Sequence, residues 1–419
     1  MPSVTKALQP FVYFLLLGSL GGCHRDASGI MSTTYAVTTT VEALELSDPD
    51  GRVVARVVHS PAQVPDVPEA GEYQIHLIDV GTGLAVLVRG ADFTFLFDGG
   101  SSDDFSGGRN NRLVAYLTAA LGPSSIDNCL PRGDWFPSNL QPDVPRIDAI
   151  MLSHPHLDHG SLLPDVLRCF EVGEVYDVGV INQTDFYQSL LEAVSEEPDV
   201  RYWTVVPPPS PPEVTVNDAI DFTGVDWDTF AEGNEFQLGD GAILSVLYAD
   251  DQSHPGAYNE NSLVVRLDLG NHSALLTGDA EAGVRASPDE QPAPTASKAN
   301  PSEEHTEGYL MRHYADEIDV DILQVGHHGS MTSSRRDFVD AVSPTWTLIG
   351  AGPRKYSGHR LPDATVHRMF EDLAKQTGGY SLSTDFDDRR CPVKDRIGRN
   401  NSLDKGWGGC SNYVLFLPR

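Results

Sequence analysis

Basic residues are scarce in this chain: Lys and Arg total 29 against 60 Asp and Glu, a formal net charge of −31 over 419 residues. A protein that follows a phosphate backbone without sequence preference needs a basic face, because counterion release drives that binding. The chain as a whole repels long polyanions. Local pairs, Arg335-Arg336 and Arg354-Lys355, are candidates for a cationic rim, and solvated surface charge is the plainer reading of both. Long apolar runs are also missing. Phe11 to Leu20 is ten residues long, too short for a bilayer span. With Lys6 before it and Gly21-Gly22-Cys23 after it, this run reads as a signal peptide over residues 1–22. Cysteine is sparse as well. None of the five shows Cys-x-x-Cys spacing, which argues against a cysteine-ligated metal. Removing the leader leaves Cys129, Cys169, Cys391 and Cys410, and an even count in an exported protein favours disulfides. Sequence leaves the pairing open. Cys129 with Cys169 and Cys391 with Cys410 is preferred, since each bridge then staples a loop-rich stretch.

What the chain concentrates is imidazole. Ser153-His154-Pro155-His156-Leu157-Asp158-His159-Gly160 follows the apolar run Ile147 to Leu152. A strand that stops in such a run projects neutral rings and a hard oxygen ligand into one small volume, and buried polar rings without partners cost stability. A metal site meets that need, with His154 and His156 on one ion and Asp158 and His159 on the other. A histidine-rich surface loop is the less favoured alternative. Imidazole with carboxylate suits zinc, with manganese or iron as other occupants. Leu275-Leu276-Thr277-Gly278-Asp279 ends another strand and puts Asp279 where one carboxylate can bridge two ions. Val325-Gly326-His327-His328-Gly329-Ser330 follows the apolar Val320 to Leu323. Adjacent strand residues face opposite ways, so one of His327 and His328 is expected on the metal and its neighbour beside ligands or substrate. Asp79 and Asp98, at strand ends, are candidates to orient ligand histidines, with turn capping as the alternative.

These motifs follow His76-Leu77-Ile78-Asp79-Val80-Gly81-Thr82-Gly83 and Phe95-Leu96-Phe97-Asp98-Gly99-Gly100. In this order they resemble the metallo-β-lactamase fold superfamily and, within it, the hydrolase-like domain of ComEC-type DNA-uptake competence proteins. The resemblance covers about residues 73–385. It implies an α+β fold class, an αββα four-layer sandwich of two mixed sheets flanked by helices, with the active site between sheet edges. The coarse reading agrees. Strands are expected at 72–79, 84–89, 94–98 and 147–153, then at 235–238, 242–248, 262–269 and 273–276, with helices at 111–121, 161–170, 184–195 and 363–376. Residues 23–70 read as a tether with an accessory hairpin about Ser47-Asp48-Pro49-Asp50-Gly51, either packed against the core or a small element of its own, residues 71–419 as the hydrolase domain, and 287–302 as a low-complexity insertion. Two departures stand out. Ala257 to Ser262 lacks the histidine that many hydrolytic members place there, which leaves the first ion weakly held, and His254 upstream reads as a loop residue. Leu84 stands where the ComEC branch has an acidic residue.

Two cations held close lower the pKa of a shared water, so a hydroxide is available near neutral pH. Asp158, Asp279 and His359 are the expected catalytic residues. Ser330, Tyr356 and His359 are the expected substrate contacts, the last two from Tyr356-Ser357-Gly358-His359-Arg360, which resembles the branch's Tyr-Gly-His-Pro segment. Leu20-Gly21-Gly22-Cys23 resembles a bacterial lipobox that would lipidate Cys23, with ordinary secretion as the alternative. The expectation is a protein exported from a bacterial cytoplasm and held at the membrane by lipid alone, facing the periplasm or the exterior. It would carry one or two divalent ions, zinc ahead of manganese, and hydrolyse a small phosphodiester or nucleic acid. An ester, lactone or amide metallohydrolase and a non-catalytic surface binding module are the competing classes.

Overall fold

The computed structural model describes residues 45–124, 129, 144–207, 213–252, 254, 256–290, 305–356, 358–385, 397 and 411–419. The leader, Cys23, Cys391, Cys410 and most of the 287–302 insertion lie outside the described residues. The strands in chain order are β1 (Glu45–Ser47), β2 (Val54–Val58), β3 (Tyr73–Leu77), β4 (Val86–Arg89), β5 (Thr94–Phe97), β6 (Arg146–Leu152), β7 (Glu171–Asp177) and β8 (Arg201–Thr204). A hairpin, β9 (Glu213–Val216) and β10 (Asp218–Asp221), leads to β11 (Asp226–Thr229). The second run is β12 (Glu235–Gly239), β13 (Ala242–Tyr248), β14 (Val264–Leu269), β15 (His272–Leu276), β16 (Ile322–Gln324) and β17 (Trp346–Ile349). A small hairpin of β18 (Lys355–Tyr356) and β19 (His359–Arg360) precedes β20 (Tyr380–Ser383) and β21 (Asn412–Leu417). The helices are α1 (Arg112–Leu121), α2 (Leu157–Gly160), α3 (Leu163–Cys169), α4 (Asp185–Glu196), α5 (Thr306–His313), α6 (Arg336–Val342) and α7 (Ala364–Thr377).

The strands form two large mixed sheets: one ordered β1-β2-β21-β3-β4-β5-β6-β7-β8-β11, the other β12-β13-β14-β15-β16-β17-β20. Period-2 alternation explains the layering. In β5, Phe95 and Phe97 join the core between the sheets, while Leu96 joins the core under the outer helices. β6 repeats this, with Ala149 and Met151 inside and Ile150 and Leu152 outside. On the second sheet Ala274, Leu276 and Leu348 face inward, while Leu275 and Ile349 pack with Leu310, Phe338 and Phe370 of α5, α6 and α7. Helix α1 shows the matching 3.6-residue pattern, burying Leu113, Val114, Tyr116 and Leu117, with Asn111 as its N-cap accepting from the Val114 N–H at 2.8 Å. Helices outside, sheets inside: the αββα sandwich is the observed architecture.

Two details go beyond the sequence. The β1–β2 hairpin packs onto the domain, because β2 pairs antiparallel with β21 and so extends the first sheet. The C-terminal run that forms β21, unassigned from sequence, inserts between β2 and β3. Cys129 and Cys169 form a disulfide, tying the segment after α1 to the end of α3. Strands β5 to β8 run parallel to one another, as do β15, β16, β17 and β20. Loops leaving the C-terminal ends of β5, β6, β15 and β16 carry Asp98, residues 153–159, Asp279 and residues 326–329 to one place.

Candidate metal centre

The site is built outward from Asp98. Its backbone sits at φ 57°, which Asp tolerates better than most residues, and its buried carboxylate organises the histidine loop. Oδ1 accepts from the Ser153 N–H at 2.7 Å, and Oδ2 accepts from Ser153 Oγ at 2.8 Å and from His159 Nδ1 at 2.7 Å. The chain then turns through His154 and His156 into the single turn of α2, which carries Asp158 and His159. Two glycines let these loops meet. A Cβ on Gly100 would lie 2.3 Å from His159 N, and one on Gly278 (φ +54°) would lie 2.7 Å from Ser153 Cβ.

Two ligand groups result. His154, His156 and Asp279 present ligand atoms within 4.8 Å of one another, and so do Asp158, His159 and His328. Asp279 stands between them: its Oδ2 is 3.9 Å from His154 Nε2 and its Oδ1 3.0 Å from His159 Nε2 and 3.6 Å from His328 Nε2. His327 and His328 do not alternate along a strand. Both lie in a tight turn with left-handed φ of 46° and 53°. His328 joins the second group, its Nδ1 donating to Gly350 O at 2.6 Å so that Nε2 faces Asp158 Oδ2 at 3.2 Å. His327 is part-exposed at the mouth, with Nδ1 2.7 Å from Thr332 Oγ1 and 3.0 Å from Glu281 Oε1.

The donor set fits cations. Burial pushes the His154 and His156 rings below the usual imidazole range, which keeps them neutral with lone pairs free at pH 7. Burial alone would raise Asp158 and Asp279, but the His328 and His159 rings hold both carboxyls below the ordinary range. Burial would also depress His159, yet Asp279 and Asp98 outweigh it and raise that ring. Several ring nitrogens crowd together: His154 Nε2 lies 2.8 Å from His156 Nδ1, and His159 Nε2 lies 3.2 Å from His328 Nε2. Asp279 Oδ1 is buried without a hydrogen-bond partner. Without a cation these contacts need ring protons, as on the raised His159 ring beside Asp279 Oδ1; a cation would take the place of those protons among the same nitrogens and carboxylates.

Tyr356, on β18, donates its hydroxyl to Asp158 Oδ2 at 2.5 Å and stacks on the His328 ring at 5.9 Å. Across the ligand groups lies a cavity of about 440 Å³ lined by Ser102, His156, Asn259, His327, Arg354 and Tyr356, with Lys355 beside them. Two serines touch His154 (Ser153 Oγ at 3.0 Å, Ser262 Oγ at 3.4 Å); Ser153 opens the histidine motif, Asn259 and Ser262 lie in the stretch that lacks the extra histidine, and Ser102 alone carried no signal in the sequence. Other expected residues fall elsewhere. His359 is exposed on β19 opposite Tyr356, and among the described residues no contact joins it to the ligands. Ser330 is buried beside Arg285 Nη1 at 3.3 Å. Asp79 pairs with the buried Arg112 at 2.8 Å and accepts from the Gly81 N–H at 3.1 Å, so it ties α1 to the turn after β3. Arg335 is no rim cation, since it is buried against Asp337, and Arg336 pairs with Asp289. Leu84 lies in the core between the sheets, and His254 bonds Asp250 at 2.8 Å.

Among the described residues, no helix is long and apolar enough to cross a membrane. Residues 78–232 match the model of the metallo-beta-lactamase superfamily. The chain is 25% identical over 307 residues to the uncharacterized protein YcaI of Escherichia coli, covering 73% of this chain and 28% of that protein. It is 24% identical over 287 residues to the competence protein ComA of Neisseria gonorrhoeae, covering 68% of this chain and 28% of that protein. It thus spans little more than a quarter of the length of these curated relatives. Among solved structures, the metallo-beta-lactamase fold protein YhfI from Bacillus subtilis aligns over 74% of this chain and 97% of its own, at 12% identity and a TM-score of 0.35. With the motifs and the two candidate ligand groups in place, residues 78–232 carry a metallo-β-lactamase superfamily domain, and the chain is similar in sequence to proteins named for competence.

Proposed function

We propose that this protein is a metal-dependent hydrolase of small phosphodiesters, acting outside the cytoplasm. The observation that carries the reading is Asp279 between two buried ligand groups, at the floor of a cavity rimmed by Arg354 and Lys355. Divalent cations bound there, zinc or manganese, would lower the pKa of a water and polarise the phosphoryl oxygens. The chain supplies the rest. His154, His156 and Asp279 would hold one ion, and Asp158, His159 and His328 the other, with Asp98 fixing the His159 ring. Arg354 and Lys355 offset the ester's negative charge, with Arg354 anchored by its backbone N–H to Thr82 Oγ1 at 2.9 Å. Water oxygen attacks phosphorus, the bond to the leaving oxygen breaks, and that oxygen takes up a proton.

The rim cations favour a phosphodiester over a neutral ester or lactone, and the overall acidity favours a short substrate over a polymer. Turnover of bis(p-nitrophenyl) phosphate, single-stranded DNA and a lactone, each with zinc and with manganese, tests the reading. The small phosphodiester is expected to be cleaved fastest. Turnover of the lactone alone would replace the phosphodiester reading, and no turnover at full metal occupancy would favour a binding module. Anchoring through Cys23 is part of the proposal: Cys23→Ser is expected to release the protein from the membrane fraction, and unchanged fractionation would refute the anchor.

A further inference from the structure

A second cavity, of about 480 Å³, adjoins the first and plays no part in the chemistry above. Leu157, between the ligand residues His156 and Asp158, lines both. The second cavity is walled by Phe105, Leu162 and Phe186 and edged by Asp104 and Asp185. No basic residue lines it, so it cannot take a second phosphate. Its apolar wall is unusual in one respect. Large exposed hydrophobic side chains are few among the described residues, and two of them, Phe105 at 64% and Leu157 at 37%, face this one space.

Phe105 is not exposed because its loop is slack. Its neighbours Asp104 and Ser106 are buried at 3% and 5%, and Asp104 fastens the turn on both sides. Asp104 Oδ1 accepts from the Ser106 N–H at 2.9 Å and Oδ2 accepts from the Arg112 N–H at 2.9 Å. The Asp104 N–H in turn donates to Ser101 Oγ at 2.9 Å. A ring held out by a pinned backbone is a preorganised platform, and leaving it in water costs free energy that a ligand can recover. We propose that this cavity is a subsite for a nucleobase carried on the phosphodiester, stacked on Phe105 against Leu157, with a ring N–H directed at Asp185, the exposed carboxylate of the acidic edge. Carboxylates accept and never donate when ionised, so they select a ring that presents donors. The two cavities then divide the substrate: phosphate to the cationic rim, base to the acidic and aromatic side.

This inference rests on the phosphodiesterase reading, and the test separates the two. Thymidine 5′-p-nitrophenyl phosphate and methyl p-nitrophenyl phosphate share a leaving group and differ in the base. For the metal-loaded full chain, the nucleoside ester is expected to have the higher kcat/KM, chiefly through KM. Phe105→Ala is expected to lower that preference about tenfold, the scale of one lost base–aromatic stack. Equal kcat/KM for both esters, or a preference untouched by Phe105→Ala, overturns the subsite. Binding of thymidine by saturation-transfer NMR needs no catalysis. Thymidine binding weakened by Phe105→Ala supports the subsite even if neither ester turns over, in which case the hydrolytic reading alone fails. Thymidine binding that is absent, or equal in the two proteins, overturns it.

Discussion

Replacing Asp98 by Asn should cost the centre an ion without disturbing the fold. Asn is nearly isosteric and tolerates the left-handed φ of 57° at this position. Its orientation is forced, because the Ser153 N–H can only donate and so takes the amide oxygen at the Oδ1 position, 2.7 Å away. The amide NH2 then occupies the Oδ2 position, 2.7 Å from His159 Nδ1 and 2.8 Å from Ser153 Oγ. With a cation bound to the wild type, Nδ1–H would donate to Asp98 and leave the Nε2 lone pair for the ion, on the side where Asp279 Oδ1 lies 3.0 Å and His328 Nε2 3.2 Å away. Facing an amide donor, Nδ1 must accept instead. The proton moves to Nε2 and blocks the metal face. Loss of an outer hydrogen-bond partner ordinarily costs a ligand histidine about 10- to 100-fold in metal affinity, roughly 1.4–2.7 kcal/mol, and a reversed tautomer belongs at the upper end. Competition with a chelator of known affinity, run on wild type and Asp98→Asn with zinc, measures this directly, and near-UV circular dichroism checks the fold. Affinity within about twofold of wild type would refute the claim that Asp98 sets the His159 tautomer.

Two further outcomes follow from named contacts. Tyr356→Phe removes the hydroxyl that donates to Asp158 Oδ2 at 2.5 Å; metal affinity or kcat should fall about tenfold while the denaturation midpoint stays put, and unchanged values of both would show that this bond is idle. Glu197, far from the metal centre, caps the end of α4 and accepts from the Val172 N–H at 2.7 Å, and burial pushes its carboxyl up from 4.5 to about 8. A folded pKa above the unfolded value means that the folded state holds the proton more tightly, so stability falls as pH rises from about 4.5 to 8. Glu197→Gln should flatten that slope and gain on the order of 2 kcal/mol at pH 8 relative to wild type in urea denaturation; parallel pH profiles would contradict the assignment.

The ligand cluster was legible because metal chemistry admits few residue types at fixed short spacing, as in His154 to His159, and because Asp98 and Asp279 end apolar strands. The layered sandwich was legible for a similar reason: Phe95-Leu96-Phe97 alternates between two cores, as its period requires. What escaped was set by tertiary placement. Ser102 reaches the site through loop geometry that nothing in its own sequence neighbourhood marks, and Ser153, Asn259 and Ser262 lie in marked segments without any sign of what they would touch. The Arg335-Arg336 pair read as possible surface charge, yet Arg335 is buried, paired with the exposed Asp337 and held by its backbone N–H donating to Glu307 at 2.9 Å. His359 and Tyr356 look equally suited to a substrate role in sequence. The two-stranded hairpin sends the Tyr356 hydroxyl to Asp158 and leaves His359 in solvent. His327 and His328 were assigned opposite faces by strand geometry, and it is a left-handed turn that separates them instead.

The claim on which all else depends is that Asp279 joins two separate cation sites. Elemental analysis of the purified protein, loaded with zinc or manganese and freed of excess ion, tests it most directly. Two ions per chain are expected for wild type and one for the Asp158→Ala, His159→Ala double variant, with Asp279→Asn weakening both. Metal no higher than background in the wild type, or the same stoichiometry in all three proteins, would contradict it.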